Sequence, residues 1–301
     1  MVDSEIRTED RRHSGASSVR ERVVIVGGGP AGLAVAAVLK SKGIDALVLD
    51  RAQEIGASWK AHYDRLHLHT VRWLSHLPGR RIPRSNGKWV ARDDVVRYLK
   101  SYAELQGLRV RLCVTVESVR RGDSGWRVDT SDGVVLADSV VIATGFNNEP
   151  VIPEWPGVAG FTGEFMHSSL YRNGRSYADK DVLVVGAGNS GAEIVVDLVE
   201  SGARKVWLSV RTGPNIMRRD LAGFPTQALG VVLGKLPVSV VDRAAGVAQR
   251  LTVGDLSKYG MPRPGRGLYS RVRQDERIPV LDVGLIGALK RGRVSGVRAV
   301  A

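Results

Sequence analysis

Short runs of consecutive apolar residues recur along this chain, each followed by a stretch whose apolar positions repeat at helical spacing. Val23 to Val26 precede the helical stretch Ala31 to Lys42, and Ala46 to Leu49 follow it. Much later Val182 to Val185 lead into Ala192 to Glu200, which stops at Gly202 before a further run, Val206 to Val210. Continuous apolar runs of this length suit strands covered on both faces, so the pattern predicts an α/β fold with two strand, turn, helix, strand units. Between them Val95, Val96, Leu99, Tyr102 and Ala103 place a helix over Asp93 to Gln106, ended by Gly107. Val110 to Val119, Trp126 to Asp129 and Val134 to Leu136 read as a small antiparallel insertion, and Val140 to Ile142 as a buried strand running into Ala143, Thr144 and Gly145. Residues 56–70 and 78–83 read as loops. Pro150, Pro153, Pro156 and Gly157 punctuate a linker, so a first domain over 21–150, a linker over 151–180 and a second domain over 181–254 are expected.

Both strand-to-helix turns are glycine-rich, GGGPAG at 27–32 and GAGNSG at 186–191. In such a turn the first glycine permits the bend, the second lets backbone approach a pyrophosphate, and the third lets helix and strand pack closely. Gly27, Gly29 and Gly32 fill those places in the first unit, and Asp50, after the next strand, is positioned to take a ribose hydroxyl pair. Gly186, Gly188 and Gly191 fill them in the second. There the following strand ends at Arg211, where a carboxylate would repel a 2′-phosphate and an arginine suits it, so NADPH is expected over NADH. A solvated strand end is the plain alternative for Arg211, and Arg218 or Arg219 could supply the charge instead.

Composition narrows the class. The 301 residues suffice for two ordinary domains, and 43% hydrophobic with 25% charged is a globular balance. The net charge of +13 is spread along the chain without a nucleic-acid module, so it reads as solubility and attraction for an anionic cofactor, with no nucleic-acid partner expected. Cys113 is the single cysteine, expected to be a small buried residue. No dithiol chemistry and no cysteine zinc site are possible, and a cytoplasmic location is expected. Residues 1–20 read as a disordered lead-in, and Leu221 to Gly234 is too short to span a bilayer, so no membrane partner is expected. His62, His67 and His69 lack metal-ligand spacing and no metal is expected.

Phe161, Gly163, His167 and Tyr171, in the spacing FxGxxxHxxxY between the two fingerprints, resemble the signature of the flavin-containing monooxygenases. GASW at 56–59, ATG at 143–145 and GNSG at 188–191 agree. YDRLHLHT at 63–70, GDLSKYGMPRP at 254–264 and IPVLDVG at 278–284 resemble the YUCCA-like branch, the indole-3-pyruvate monooxygenases and their bacterial relatives. Tyr171 stands where the related Baeyer–Villiger enzymes carry tryptophan, and Val71 where many animal-type members carry asparagine. The family's first domain is discontinuous. Residues 255–301 are therefore expected to return to it, and since SGVRAVA does not resemble the continuation and no second Ala-Thr-Gly follows, the resemblance implies a C-terminally shortened chain with an incomplete FAD domain.

The resemblance implies FAD at Gly27, Gly28, Gly29, Ala31, Gly32, Asp50 and Arg51, with Ser58, Trp59, Ala143, Thr144 and Gly145 beside it. It implies NADPH at Gly186, Gly188, Asn189, Ser190, Gly191 and Arg211. His167 is expected to be structural, and no catalytic side chain is assigned. Reduced flavin would carry oxygen as a C4a-(hydro)peroxide to a small substrate, a 2-oxo acid or a soft nitrogen or sulfur nucleophile. Two other readings remain: an NAD(P)H-dependent flavin oxidoreductase that inserts no oxygen, and an inactive shortened relative that only binds nucleotide.

Overall fold

The computed structural model describes residues 19–221, 223–233 and 236–298. In chain order the elements are β1 (Val19–Val26), α1 (Pro30–Ser41), β2 (Leu47–Leu49), α2 (Ala57–Lys60), α3 (Arg92–Leu105), β3 (Arg109–Arg111), β4 (Val116–Gly122), β5 (Gly125–Thr130), β6 (Gly133–Ile142), β7 (Asp181–Val185), α4 (Asn189–Glu200), β8 (Lys205–Val210), β9 (Ile216–Arg218), β10 (Asp220–Leu221), β11 (Phe224–Pro225), α5 (Thr226–Leu233), α6 (Val238–Thr252), α7 (Leu268–Gln274), β12 (Val280–Asp282), α8 (Leu285–Lys290) and β13 (Val294–Arg298). The expected lead-in lies mostly outside the described residues. Among those described, no helix is long and apolar enough to cross a membrane.

The chain divides into two units. The first comprises residues 19–57, 77–80 and 96–148 of the described chain. Its sheet has the order β3-β2-β1-β6-β5-β4, with β3, β2, β1 and β6 parallel and β5 and β4 antiparallel. The expected strand over Val110 to Val119 is two strands, because Cys113 takes a left-handed φ of 60° and breaks the extended run. For the same reason Cys113 is exposed, contrary to the expectation of burial, while Val114 beside it is buried. The expected run at Val134 and the one at Val140 are one strand, β6, pairing with β5 on one side and β1 on the other. Val24, Val26, Leu47 and Leu49 fill one face of this sheet, and Ile25, Ala36, Ala46 and Val48 the other.

The second unit comprises residues 58–76, 81–95 and 149–298 of the described chain. Its parallel sheet runs β13-β8-β7. Here the domain expectation is corrected. Residues 255–298 do not return to the first unit: β13 pairs with β8 through Val294↔Val206 to Arg298↔Val210, and β12 pairs with β9. Residues 58–76 and 81–95, expected within 21–150, also belong to this unit, with Tyr63 and Leu66 in its core beside Tyr171, Ile194, Leu198 and Leu208.

Candidate functional site

The two glycine turns have one construction. A Cβ on Gly32 would stand 1.9 Å from the Gly27 carbonyl oxygen, and one on Gly191 would stand 1.9 Å from that of Gly186, so neither helix could pack on its turn with a larger residue. Gly27 and Gly186 bend at φ of 109° and 103°, which side chains rarely adopt. By contrast, a Cβ on Gly29 or Gly188 would meet nothing within 4 Å. Each of these is the N-cap of its helix and offers no side chain, so the first N–H groups of α1 and α4 lack side-chain caps and face open cradles. Bare helix N-termini beside an open backbone surface suit a pyrophosphate, and the residues present therefore fit two dinucleotides.

In the first unit the Asp50 carboxylate accepts the Gly28 N–H at 2.6 Å and the Ala52 N–H at 2.8 Å, which locks the strand end against the turn. Its remaining lone pairs are free to accept further hydrogen bonds. A Cβ on Gly27 would meet the Ala143 carbonyl at 2.4 Å, so the end of β6 abuts the same turn, with Thr144 and Gly145 exposed beyond it. Ala31 opens α1. The Arg51 guanidinium donates to Asn148 Oδ1 at 2.7 Å. Ser58 and Trp59 belong to the second unit, where Trp59 packs against the core and Ser58 is exposed.

In the second unit the strand register corrects one reading. The Leu49 carbonyl accepts the Gly27 N–H at 2.8 Å, and the Ser209 carbonyl accepts that of Gly186 at 3.0 Å. Asp50 therefore corresponds to Val210, which is buried, and Arg211 corresponds to Arg51. No carboxylate occupies the ribose position, and Arg211 stands one residue further out. It lines a cavity of about 460 Å³ with Gly186, Gly188, Ser209, Thr212 and Arg277, whereas Arg218 and Arg219 do not. Arg277 was missed in the sequence because only the pairing of Val280 with Ile216 brings it beside the strand end. Asn189 turns away from the expected role: its amide donates to the Pro279 carbonyl at 3.2 Å and accepts the Leu281 N–H at 2.9 Å, bracing β12. Ser190 faces the Tyr63 hydroxyl, which burial and then the charge of Glu193 push well above its ordinary range.

Two of the signature residues make local contacts within the second unit. His167 Nδ1 accepts the Ser169 N–H at 3.2 Å and caps a short turn. Tyr171 is buried, stacks on Tyr177 with centroids 5.9 Å apart, and donates to Asp197 at 2.6 Å; burial and that carboxylate hold its hydroxyl protonated. Asp282 accepts the Ile286 N–H at 2.9 Å at the start of α8, and Arg266 pairs with Asp275.

The chain matches the family described as pyridine nucleotide-disulphide oxidoreductase over residues 24–220, which takes in both cradles. It is 38% identical over 282 residues to an indole-3-pyruvate monooxygenase, YUCCA1, of Oryza sativa subsp. japonica, covering 92% of this chain and 69% of that one. The chain belongs to the flavin-containing monooxygenase family, in its YUCCA-like branch. A probable indole-3-pyruvate monooxygenase, YUCCA4, of Arabidopsis thaliana is 36% identical, with 92% and 68% covered. Among solved structures, a double mutant of the flavin monooxygenase from Stenotrophomonas maltophilia superposes with a TM-score of 0.69 at 26% identity, covering 93% of this chain and 70% of that one. Cyclohexanone monooxygenase from Rhodococcus sp. Phi1, bound to NADP+, shares the fold with a TM-score of 0.70 at 20% identity, covering 94% and 65%. The disulphide chemistry in the family description needs a thiol pair, and this member has one cysteine. It is a monooxygenase-type oxidoreductase with two dinucleotide-binding folds.

Proposed function

We propose that this chain is an FAD- and NADPH-dependent monooxygenase that acts on a small 2-oxo acid. The observation that carries the reading is the pair of open cradles at Gly29 and Gly188, in a chain related over 92% of its length to indole-3-pyruvate monooxygenases. FAD is held by the first unit. The α1 N-terminus receives the pyrophosphate, Gly29 admits it, and Asp50 takes the ribose; Gly27 and Gly32 shape the turn that presents them. NADPH is held by the second unit on the α4 N-terminus, with Arg211 and Arg277 for the 2′-phosphate and Thr212 beside them. A guanidinium pair facing a phosphate forms charge-assisted hydrogen bonds that NADH cannot return. When bound, FAD supplies the electron transfer to oxygen that side chains cannot perform. The protein's part is to hold both dinucleotides, and a single reduced cysteine suits the cytoplasm where such an enzyme would draw on NADPH.

The overall change balances as 2-oxo acid, O2, NADPH and a proton giving the carboxylic acid one carbon shorter, CO2, water and NADP+. The test supplies the FAD-loaded chain with NADPH, 18O2 and phenylpyruvate and follows both products. One 18O atom in the shortened acid, with CO2 matching the NADPH consumed, is the expected result. With catalase present to remove free peroxide, which itself decarboxylates 2-oxo acids, NADPH oxidation without the shortened acid would instead indicate an oxidoreductase that inserts no oxygen, and a methyl thioether turned over in preference would indicate a soft-nucleophile substrate.

A further inference from the structure

α6 and the segment after it, residues 254–267, border a second cavity of about 820 Å³, lined only by residues of the second unit. That volume suits a small-molecule site. Its floor is apolar: Ile216, Val253, Leu256, Met261 and Leu268 line it, and all are buried. Its rim is polar and open to solvent, with Arg250, Asp255, Arg263 and Arg266 exposed. GDLSKYGMPRP at 254–264 builds much of that rim and takes no part in either glycine turn. Only Pro214 and Asn215 are shared with the cavity that holds Arg211.

Two features keep this space open. Asp255 accepts the Ser257 N–H at 2.9 Å and pairs with Arg263, which braces the rim. A Cβ on Gly213 would stand 2.1 Å from the Pro262 carbonyl oxygen, so the rim also sits tightly on the chain between β8 and β9. Gly246 lies within α6, where glycine is less stable than alanine, yet a Cβ on it would meet nothing within 4 Å. Packing does not require glycine there; the missing side chain leaves room in the cavity.

The charges of the lining select the occupant. Arg250, Arg263 and Arg266 stand against Asp242 and Asp255, three cations to two anions. Arg263 is paired with Asp255, and Arg266 with Asp275. Asp242 is spent on the start of α7, where it accepts the Tyr269 N–H at 2.6 Å and the Ser270 hydroxyl. Arg250 is left, in no ion pair among the described residues. One unpaired guanidinium above a buried apolar floor suits an amphipathic monoanion: a carboxylate meets the fork of donors while its hydrocarbon leaves water.

We propose that this cavity is a second ligand site, separate from the NADPH cavity, that takes an amphipathic monocarboxylate with its head at Arg250 and its body on the apolar floor. Its occupancy does not depend on the reaction proposed above.

The test titrates decanoate into the full chain by calorimetry, with and without excess NADP+, beside acetate and decyltrimethylammonium, and repeats it on Gly246→Phe and Arg250→Gln. The expected result is one decanoate per chain, not displaced by NADP+, with acetate and the cation about tenfold weaker or more. Gly246→Phe fills the cavity and should cost about tenfold or more in decanoate affinity, and Arg250→Gln removes the charge and should cost about fivefold. NADP+ affinity stays unchanged in both, since neither residue lines the NADPH cavity. Absence of decanoate binding overturns the proposal, as does unchanged affinity in either variant, or a cation bound as tightly, which would mark a general apolar surface. Displacement by NADP+ would place decanoate in the cofactor cavity and overturns it too. If Gly246→Phe does not fold, Arg250→Gln decides, with unchanged affinity again overturning the site. A chain that binds decanoate as expected but not NADP+ upholds this site and removes the NADPH reading instead.

Discussion

Gly29 and Gly32 sit three residues apart, yet their substitutions should fail in different ways. Valine at Gly29 or at Gly188 projects into open space, so the expected outcome is a stability change within about 0.5 kcal/mol with loss of FAD or NADP+, respectively. Alanine at Gly32 drives a methyl into the Gly27 carbonyl, and a loss of about 1–3 kcal/mol or more is expected in a denaturant melt. A Gly29→Val protein that remained fully flavin-loaded would remove the first cradle from the account. Arg211→Asp should raise KM for NADPH about 10–100-fold while leaving KM for NADH within a few-fold, since the lost bonds are to a charged group absent from NADH. Equal effects on both would end the specificity argument. The two fingerprints and Asp50 were legible because their chemistry is local in sequence. Arg277 was not, because its place beside Arg211 depends on a strand pairing across more than sixty residues.

Elements were read well where apolar runs were long, and poorly where one residue reset the pattern. The helices at Pro30–Ser41 and Arg92–Leu105 lie within a residue or two of the expected spans. The strand expected over Val110 to Val119 failed at Cys113, whose left-handed backbone periodicity cannot reveal. The 255–298 segment was assigned to the wrong unit because β12 and β13 are short and carry no signal of their partner; Asn189 bracing Leu281 and Asp282 capping α8 are what seat them. The loop from His76 to Ile82 gives a pH prediction. His76 Nδ1 accepts the Ile82 N–H at 2.8 Å, and burial, then Arg72 and Arg81, lower its pKa from 6.5. A depressed histidine contributes stability that is present above the unfolded value and lost as pH falls through the folded one. Relative to its intrinsic rate, hydrogen exchange at the Ile82 amide should therefore speed up as pH falls below 6.5 and level off once His76 is protonated, with His76→Gln abolishing the pH step. A rate that falls on acidification as steeply as the intrinsic chemistry of exchange would contradict this. Tyr171→Phe removes the hydroxyl that Asp197 accepts, and since Arg65 stays 3.7 Å from that carboxylate, a loss of about 1–3 kcal/mol is expected with the flavin spectrum unchanged.

At the scale of the whole molecule the account makes one claim: two folds of one kind have been given different cofactors by small differences at equivalent positions. The first ends its second strand in Asp50, bonded to Gly28; the second places buried Val210 there and arginine beyond it. On the proposed function those differences match FAD to the first unit and NADPH to the second. The most direct measurement is the visible spectrum of the FAD-loaded chain before and after anaerobic addition of NADPH, with NADH as the comparison. The account predicts a bound-flavin spectrum that bleaches with NADPH at concentrations well below those needed for NADH. A chain that takes up FAD and is bleached by dithionite, yet is untouched by NADPH, would contradict it.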